Sequence, residues 1–171
     1  GSLPNATIIG TVPHQHSYGL ESTVLLPLQH GLALQAERPL YPGDVRACLD
    51  GAPRPRILVT TPIHIRALLA EPDDLPPADL VISATAPLAP QLAIDAEARF
   101  HAPLLEIYGC SEAGQLSVRR TAETSEWQCI DGVSLRQDEE GTWASGDSVE
   151  TPTLPPVAVT TARSTARPAP W

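Results

Sequence analysis

The stretch from Arg56 to Tyr108, RILVTTPIHIRALLAEPDDLPPADLVISATAPLAPQLAIDAEARFHAPLLEIY, decides the fold class. Arg56–Thr60 (RILVT), residues 79–83 (DLVIS) and residues 104–108 (LLEIY) are short apolar runs, rich in branched side chains, and read as buried strands. Between them, Pro62–Ala70 (PIHIRALLA) and Pro90–Phe100 carry apolar residues at helical spacing. Each begins on a proline, which is tolerated in the first turn because its missing N–H would have no partner there. The order is therefore strand, helix, strand, helix, strand.

The same alternation extends toward the N-terminus. Residues 6–12 (ATIIGTV) predict a strand, residues 19–30 a helix that Pro27 kinks or stops, and residues 33–36 a second strand. Residues 42–49 open on Pro-Gly-Asp and predict another helix. About four such repeats imply an α/β fold with a largely parallel sheet, flanking helices and right-handed crossovers. After Gly114 the helical period stops. Residues 116–119, 127–130, 133–136 and 142–144 predict short strands, with Asp-Gly and Glu-Gly turns, as a small antiparallel β appendage. Residues 151–171 hold five prolines and no acidic group, a composition that gives no periodic structure. The expected organisation is an α/β subdomain over 1–114, a β-rich appendage over 115–150 and a Pro/Thr/Ala/Arg tail over 151–171.

Composition narrows the function. The chain has 171 residues, 42% hydrophobic and 18% charged, which suffices for one domain. Twenty acidic against 11 basic residues give a net charge of -9, the wrong sign for a nucleic-acid or anionic-membrane binder. All the basic residues are Arg. The absence of lysine excludes a Walker-type phosphate loop and Schiff-base chemistry within these residues. Three cysteines (Cys48, Cys110, Cys129) without a C-x-x-C spacing argue against a disulfide framework or thiolate zinc site. No apolar run approaches the roughly 20 residues of a membrane span, so the expectation is a soluble, cytoplasmic protein. Methionine is absent and Gly1-Ser2 reads as the remnant of a removed tag, so an excised piece is expected.

The chemistry concentrates in Glu106-Ile107-Tyr108-Gly109-Cys110-Ser111-Glu112-Ala113-Gly114, where an apolar strand enters a turn bearing an aromatic, a hydroxyl and a carboxylate. In open α/β sheets ligands bind beyond the C-terminal ends of the strands, where this turn falls. Two other readings stand beside a ligand site. One is a plain strand-to-loop junction with Tyr108 in the core and Glu112 in solvent. The other is the serine hydrolase elbow G-x-S-x-G, with Ala113 at the last glycine. That elbow needs a helix directly after Ser111 and a histidine downstream; residues 115–120 read as a strand, and the last histidine is His101.

Tyr108-Gly109-Cys110-Ser111-Glu112 resembles the Y-G-x-T-E motif of the adenylate-forming enzymes, the acyl- and aryl-CoA synthetases and their relatives. Ser83-Ala84-Thr85-Ala86-Pro87-Leu88 resembles that family's S-G-G-A-P-L, with both glycines replaced. Val12-Pro13-His14-Gln15-His16-Ser17-Tyr18-Gly19-Leu20 resembles the P-x-x-H-x-x-G-L segment that lines the acyl pocket. Thr60-Thr61-Pro62 falls near the V-P-T strand end, and residues 141–147 (GTWASGD) resemble G-W-x-x-T-G-D.

The resemblance implies roles. Tyr108 would stack on adenine, with Ala86 and Pro87 at its edge and Gly109 in the turn beside it. Ser111 would contact the α-phosphate, Glu112 would ligate Mg2+, and Asp147 would hold the ribose. His16 would face the acyl pocket or the entry of the thiol acceptor. The cofactors implied are ATP/AMP and Mg2+, with CoA or carrier-protein pantetheine as acceptor and a small-molecule carboxylic acid as substrate.

The family's phosphate loop and its catalytic lysine have no counterpart in these residues. The chain is therefore expected to be inactive alone, and either to self-associate through surface bared by truncation or to dock the tail, residues 151–171, over part of it. The alternative is a non-catalytic interaction module built from the same fold. His30, His64 and His101 get no role, and Cys110 reads as a packing residue. Trp127 and Trp143 are expected to anchor the appendage.

Overall fold

The computed structural model describes residues 3–111, 113–138, 141–146 and 149–153; for residues 137, 138, 141, 142, 146 and 149–153 it describes the backbone only. Its core is a seven-stranded sheet in the order β2-β1-β3-β4-β5-β6-β7. Strands β1 (Thr7–Gly10), β2 (Ala33–Leu34), β3 (Arg56–Thr60), β4 (Leu80–Ser83) and β5 (Leu104–Cys110) run parallel. Strands β6 (Gly114–Arg119) and β7 (Gln128–Cys129) follow antiparallel. The α/β class and the largely parallel sheet are as expected.

Both faces of this sheet are covered, which is why its strands read as unbroken apolar runs. On one face Ile9, Leu58, Val81 and Leu104 pack with Val45 and Leu49 of α3 (Pro42–Gly51), Ile65 and Leu68 of α4 (Pro62–Ala70), and Ala93, Ala96 and Phe100 of α5 (Pro90–Phe100). On the other, Ile8, Ile57, Val59, Ile82 and Ile107 pack with Tyr18 and the partly buried Leu26.

The helix expected over residues 19–30 is three joined pieces: α1 (Ser17–Leu20), a π-helical segment (Glu21–Leu25) and α2 (Leu26–His30). Pro27 lies inside this continuous helical run, two residues after the π-helical segment, and the helix runs past it to His30, so it does not stop the helix. A left-handed Gly31 ends α2, its N–H bonded to Pro27 O.

Beyond Gly114 the chain divides. β6 and β7 are hydrogen-bonded into the large sheet, and the separate antiparallel sheet is β8 (Val133–Asp138), β9 (Gly141–Gly146) and β10 (Val149–Thr153). The first three residues of the Pro-rich tail, Thr151, Pro152 and Thr153, pair with β9. Residues 154–171 lie outside the described residues. Among the described residues no helix is long and apolar enough to cross a membrane.

Candidate functional site

β4 and β5 are parallel neighbours with Ser83 opposite Glu106, so the loop after Ser83 and the turn after β5 open on one edge. A cavity of about 620 Å³ lies at that edge. Its size is that of a small-molecule site. Four segments meet on it: His16, Tyr18 and Gly19 from the loop and α1; Thr61 and His64 from the start of α4; Ala84 and Thr85; and Gly109, Cys110 and Ser111.

Local geometry requires small residues here. A Cβ on Gly19 would stand 2.0 Å from Pro13 O, and one on Gly109 would stand 2.2 Å from Gly114 O. The motif turn is a tight hairpin: β5 runs on past Tyr108, its register shifts between Tyr108 and Gly109, and Cys110 pairs with Gly114. A strand directly follows the turn, so the helix needed by a nucleophile elbow is absent.

Tyr18 stitches this edge together. Its buried hydroxyl shares its one proton between Thr60 O (3.1 Å) and Ile82 O (3.0 Å), at the C-terminal ends of β3 and β4. Burial holds its phenol far above the ordinary value, with the bond to Thr60 opposing only in part.

Of the residues singled out in the sequence, His16, Gly109 and Ser111 line the cavity and are exposed. Ala86 and Pro87 are exposed beside it, while the preceding Ala84 and Thr85 form its wall. Thr85 has φ +77°, a conformation that suits the glycine the motif has at this position. Tyr108 is half-buried and lies 5.6 Å from Trp127, centroid to centroid. Trp127 is buried under Arg119, whose guanidinium sits 4.2 Å from the ring centre, so it anchors the end of the large sheet. Trp143 lies on β9 of the separate sheet, as expected. Glu112 and Asp147 lie outside the described residues. Among the described residues no group of three or more His, Cys, Asp or Glu could hold a metal ion.

Three functional candidates were missed. His64, given no role, lines the cavity, with Nδ1 3.0 Å from Thr11 Oγ1 and 3.1 Å from Thr61 Oγ1. Burial lowers its pKa. Glu21, on the π-helical segment, also lines the cavity. Desolvation raises its pKa, against hydrogen bonds from the Gln115 backbone and side chain.

The third is Glu106. Its buried carboxylate accepts from Leu88 N (2.9 Å), Arg119 Nε (2.8 Å) and Thr121 Oγ1 (2.5 Å), clamping the Ala86-Pro87-Leu88 loop to β5 and β6. An acidic residue inside the apolar run LLEIY was the available signal, since a buried charge needs partners.

Comparison with known proteins agrees with this geometry. The 4-coumarate–CoA ligase of Rhodobacter capsulatus is 33% identical over 117 residues, 68% of this chain and 29% of that protein. Among solved structures, the benzoate CoA ligase of Burkholderia xenovorans LB400 superposes with a TM-score of 0.72 at 20% identity, covering 86% of this chain and 34% of that one. The O-succinylbenzoate CoA synthetase of Bacillus subtilis, in complex with ATP and magnesium ion, gives 0.70 at 13% identity, covering 85% and 34%. The chain thus spans about a third of the length of these relatives. The family model "AMP-binding enzyme" matches residues 2–149, and the chain belongs to the AMP-binding enzyme family.

Proposed function

We propose that this chain forms part of the nucleotide and acyl face of an ATP-dependent acid–thiol ligase. The observation that supports this most is the meeting of four separate segments, each resembling a family motif, on one cavity at the C-terminal edge of the parallel sheet. In that reaction a carboxylate oxygen attacks the α-phosphorus of ATP and pyrophosphate leaves. A thiol sulfur of CoA or of a carrier-protein pantetheine then attacks the acyl carbon, and AMP leaves.

The chain's own groups bind and orient. Tyr108 would offer its ring to adenine from beside Trp127, 5.6 Å away centroid to centroid. Ala86 and Pro87 border the base, held by the Leu88–Glu106 bond. Ser111 and the Gly109 turn meet the α-phosphate end, and His16 stands at the acyl side. Asp147 is proposed to bind the ribose hydroxyls and Glu112 a magnesium ion, a hard cation that prefers carboxylate oxygens. The half-buried free thiols of Cys48, Cys110 and Cys129 fit a reducing, cytoplasmic setting. Exposed Leu28, Tyr41 and Ile63 supply apolar surface for the proposed self-association.

A second reading, a binding module without catalysis, is favoured for these residues taken alone by the absence of lysine. Arg cannot stand in for a compact ammonium at a reacting phosphate. The test of the main reading is calorimetric titration of the chain with a non-hydrolysable acyl-adenylate, with and without magnesium. Saturable binding is expected, with Glu112→Gln abolishing the magnesium effect while leaving the melting temperature within about 2 °C. Absence of binding to wild type would refute the reading.

A further inference from the structure

The hairpin that carries the motif turn is tied to the helical run α1–α2 by side chains that the sequence places 93 residues apart. Gln115 Nε2 donates to Ser22 Oγ (3.2 Å). The neighbouring Glu21 carboxylate accepts from the Gln115 backbone and side chain. It also lies against Gly114, whose φ is +67° and where an added Cβ would stand 3.3 Å from Oε1. Glu21 opens the π-helical segment, a rare turn that frequently marks functional sites.

At its tip the hairpin is only weakly tied by its own backbone. The ladder shifts register between Tyr108 and Gly109, and Ala113 N reaches Cys110 O at 3.4 Å, near the limit of a hydrogen bond. Among the described residues Glu21 is the one carboxylate lining the cavity, and no arginine lines it. A negative charge there repels the phosphate of an adenylate. Desolvation of the carboxylate is a further cost. The favourable contribution of Glu21 is therefore its hydrogen bonding to Gln115 and not an attraction to the ligand.

We propose that Glu21 is a positioning residue: by latching Gly114 and Gln115 to the helical run, it sets where Gly109 and Ser111 meet the nucleotide. Glu21 acts through the hairpin, and Ser22 is the second half of the latch. The inference rests on the adenylate-site reading and adds to it the residue that holds the turn in place.

The experiment is calorimetric titration of the 171-residue chain with a non-hydrolysable benzoyl-adenylate that keeps the phosphate charge. Glu21→Leu removes both the acceptor and the charge, and binding is expected to weaken about fivefold. Glu21→Gln removes the charge but keeps one acceptor oxygen, and is expected to restore affinity to within about twofold of wild type. Gln115→Ala, on the other side of the latch, should weaken binding about threefold and add little to Glu21→Leu in the double variant. Amide spectra establish that each variant is folded. Glu21→Leu binding as tightly as wild type, or more tightly, is the behaviour of a carboxylate that only repels the phosphate, and it overturns the inference. Glu21→Gln binding as weakly as Glu21→Leu overturns it too, and both results leave the adenylate site standing. Should Glu21→Leu not fold, Gln115→Ala decides, and unchanged affinity there overturns the inference. Failure of wild type to bind overturns the inference and the adenylate-site reading together.

Discussion

Replacing Glu106 by Gln is isosteric, yet it disrupts a buried set of three donors. Oε1 of Glu106 accepts from Leu88 N, while Oε2 accepts from Arg119 Nε and Thr121 Oγ1. An amide has one oxygen. In one orientation its NH2 faces the Arg119 Nε–H and in the other it faces the Leu88 N–H, so at least one buried donor loses its acceptor in either case. An orphaned buried donor costs about 1–3 kcal/mol. The Arg119 side chain is only 15% exposed and also loses its counter-charge. Breaking one partner of a buried pair costs about 3–5 kcal/mol. These two figures overlap, because both count the Arg119 contact, so about 3 kcal/mol is the expected total. For a domain of this size that lowers the melting temperature by roughly 6–12 °C. Thermal unfolding followed by circular dichroism measures it. The double variant Glu106→Gln/Arg119→Leu should recover part of the loss, because the stranded charge is gone. A drop below about 2 °C for the single variant would refute the clamp, since it would mean that water or a shifted loop replaces the carboxylate.

Other consequences are as direct. Thr85→Gly relieves a β-branched residue at φ +77° and should stabilise the chain by about 0.5–1 kcal/mol in urea unfolding, after the entropy lost to glycine is subtracted. Gly19→Ala places a methyl 2.0 Å from Pro13 O and should destabilise by more than about 2 kcal/mol in the same assay. His64 is held below its ordinary pKa, so the unfolded chain binds its proton first as pH falls. Stability should therefore decline as pH drops through about 6.5, and His64→Asn should flatten that part of a melting-temperature profile. ATP–pyrophosphate exchange by the chain alone, offered aromatic or fatty acids, should stay at the no-protein background, because the 171 residues lack a lysine.

Much of this was readable in the chain and the omissions have physical causes. RILVT, DLVIS and LLEIY announced central parallel strands because both faces of that sheet are buried, so most of their positions are apolar. The same local pattern cannot say which sheet a later strand joins. Residues 116–119 and 127–130 read like 133–136, yet the first two runs contribute β6 and β7 to the large sheet through Ile107–Val118 and Ser117–Cys129 pairings. The π-helical turn that carries Glu21 has no compositional mark. It lies where Thr23 packs on Gly10, a Cβ there being 2.8 Å from Thr23 Cγ2, and that contact crosses the gap between strand and helix.

His64 escaped for a related reason. In PIHIRALLA it occupies a helix start, and the partner that orients it, Thr11, lies 53 residues away. Two threonines just before it, Thr60 at the end of β3 and Thr61 at the cap of α4, were the nearest local hint. By contrast, His16, Gly109 and Ser111 were singled out because they fall in segments that resemble family motifs, and all three line the cavity.

The central claim is that the C-terminal edge of the parallel sheet binds an acyl-adenylate. Amide chemical-shift mapping of the chain titrated with a non-hydrolysable acyl-adenylate tests it most directly. The account predicts saturable shifts concentrated at His16, His64, Thr85 and Gly109–Ser111, with α3 and the exposed face of α5 unmoved. Saturable shifts centred elsewhere, or none up to millimolar ligand, would contradict it.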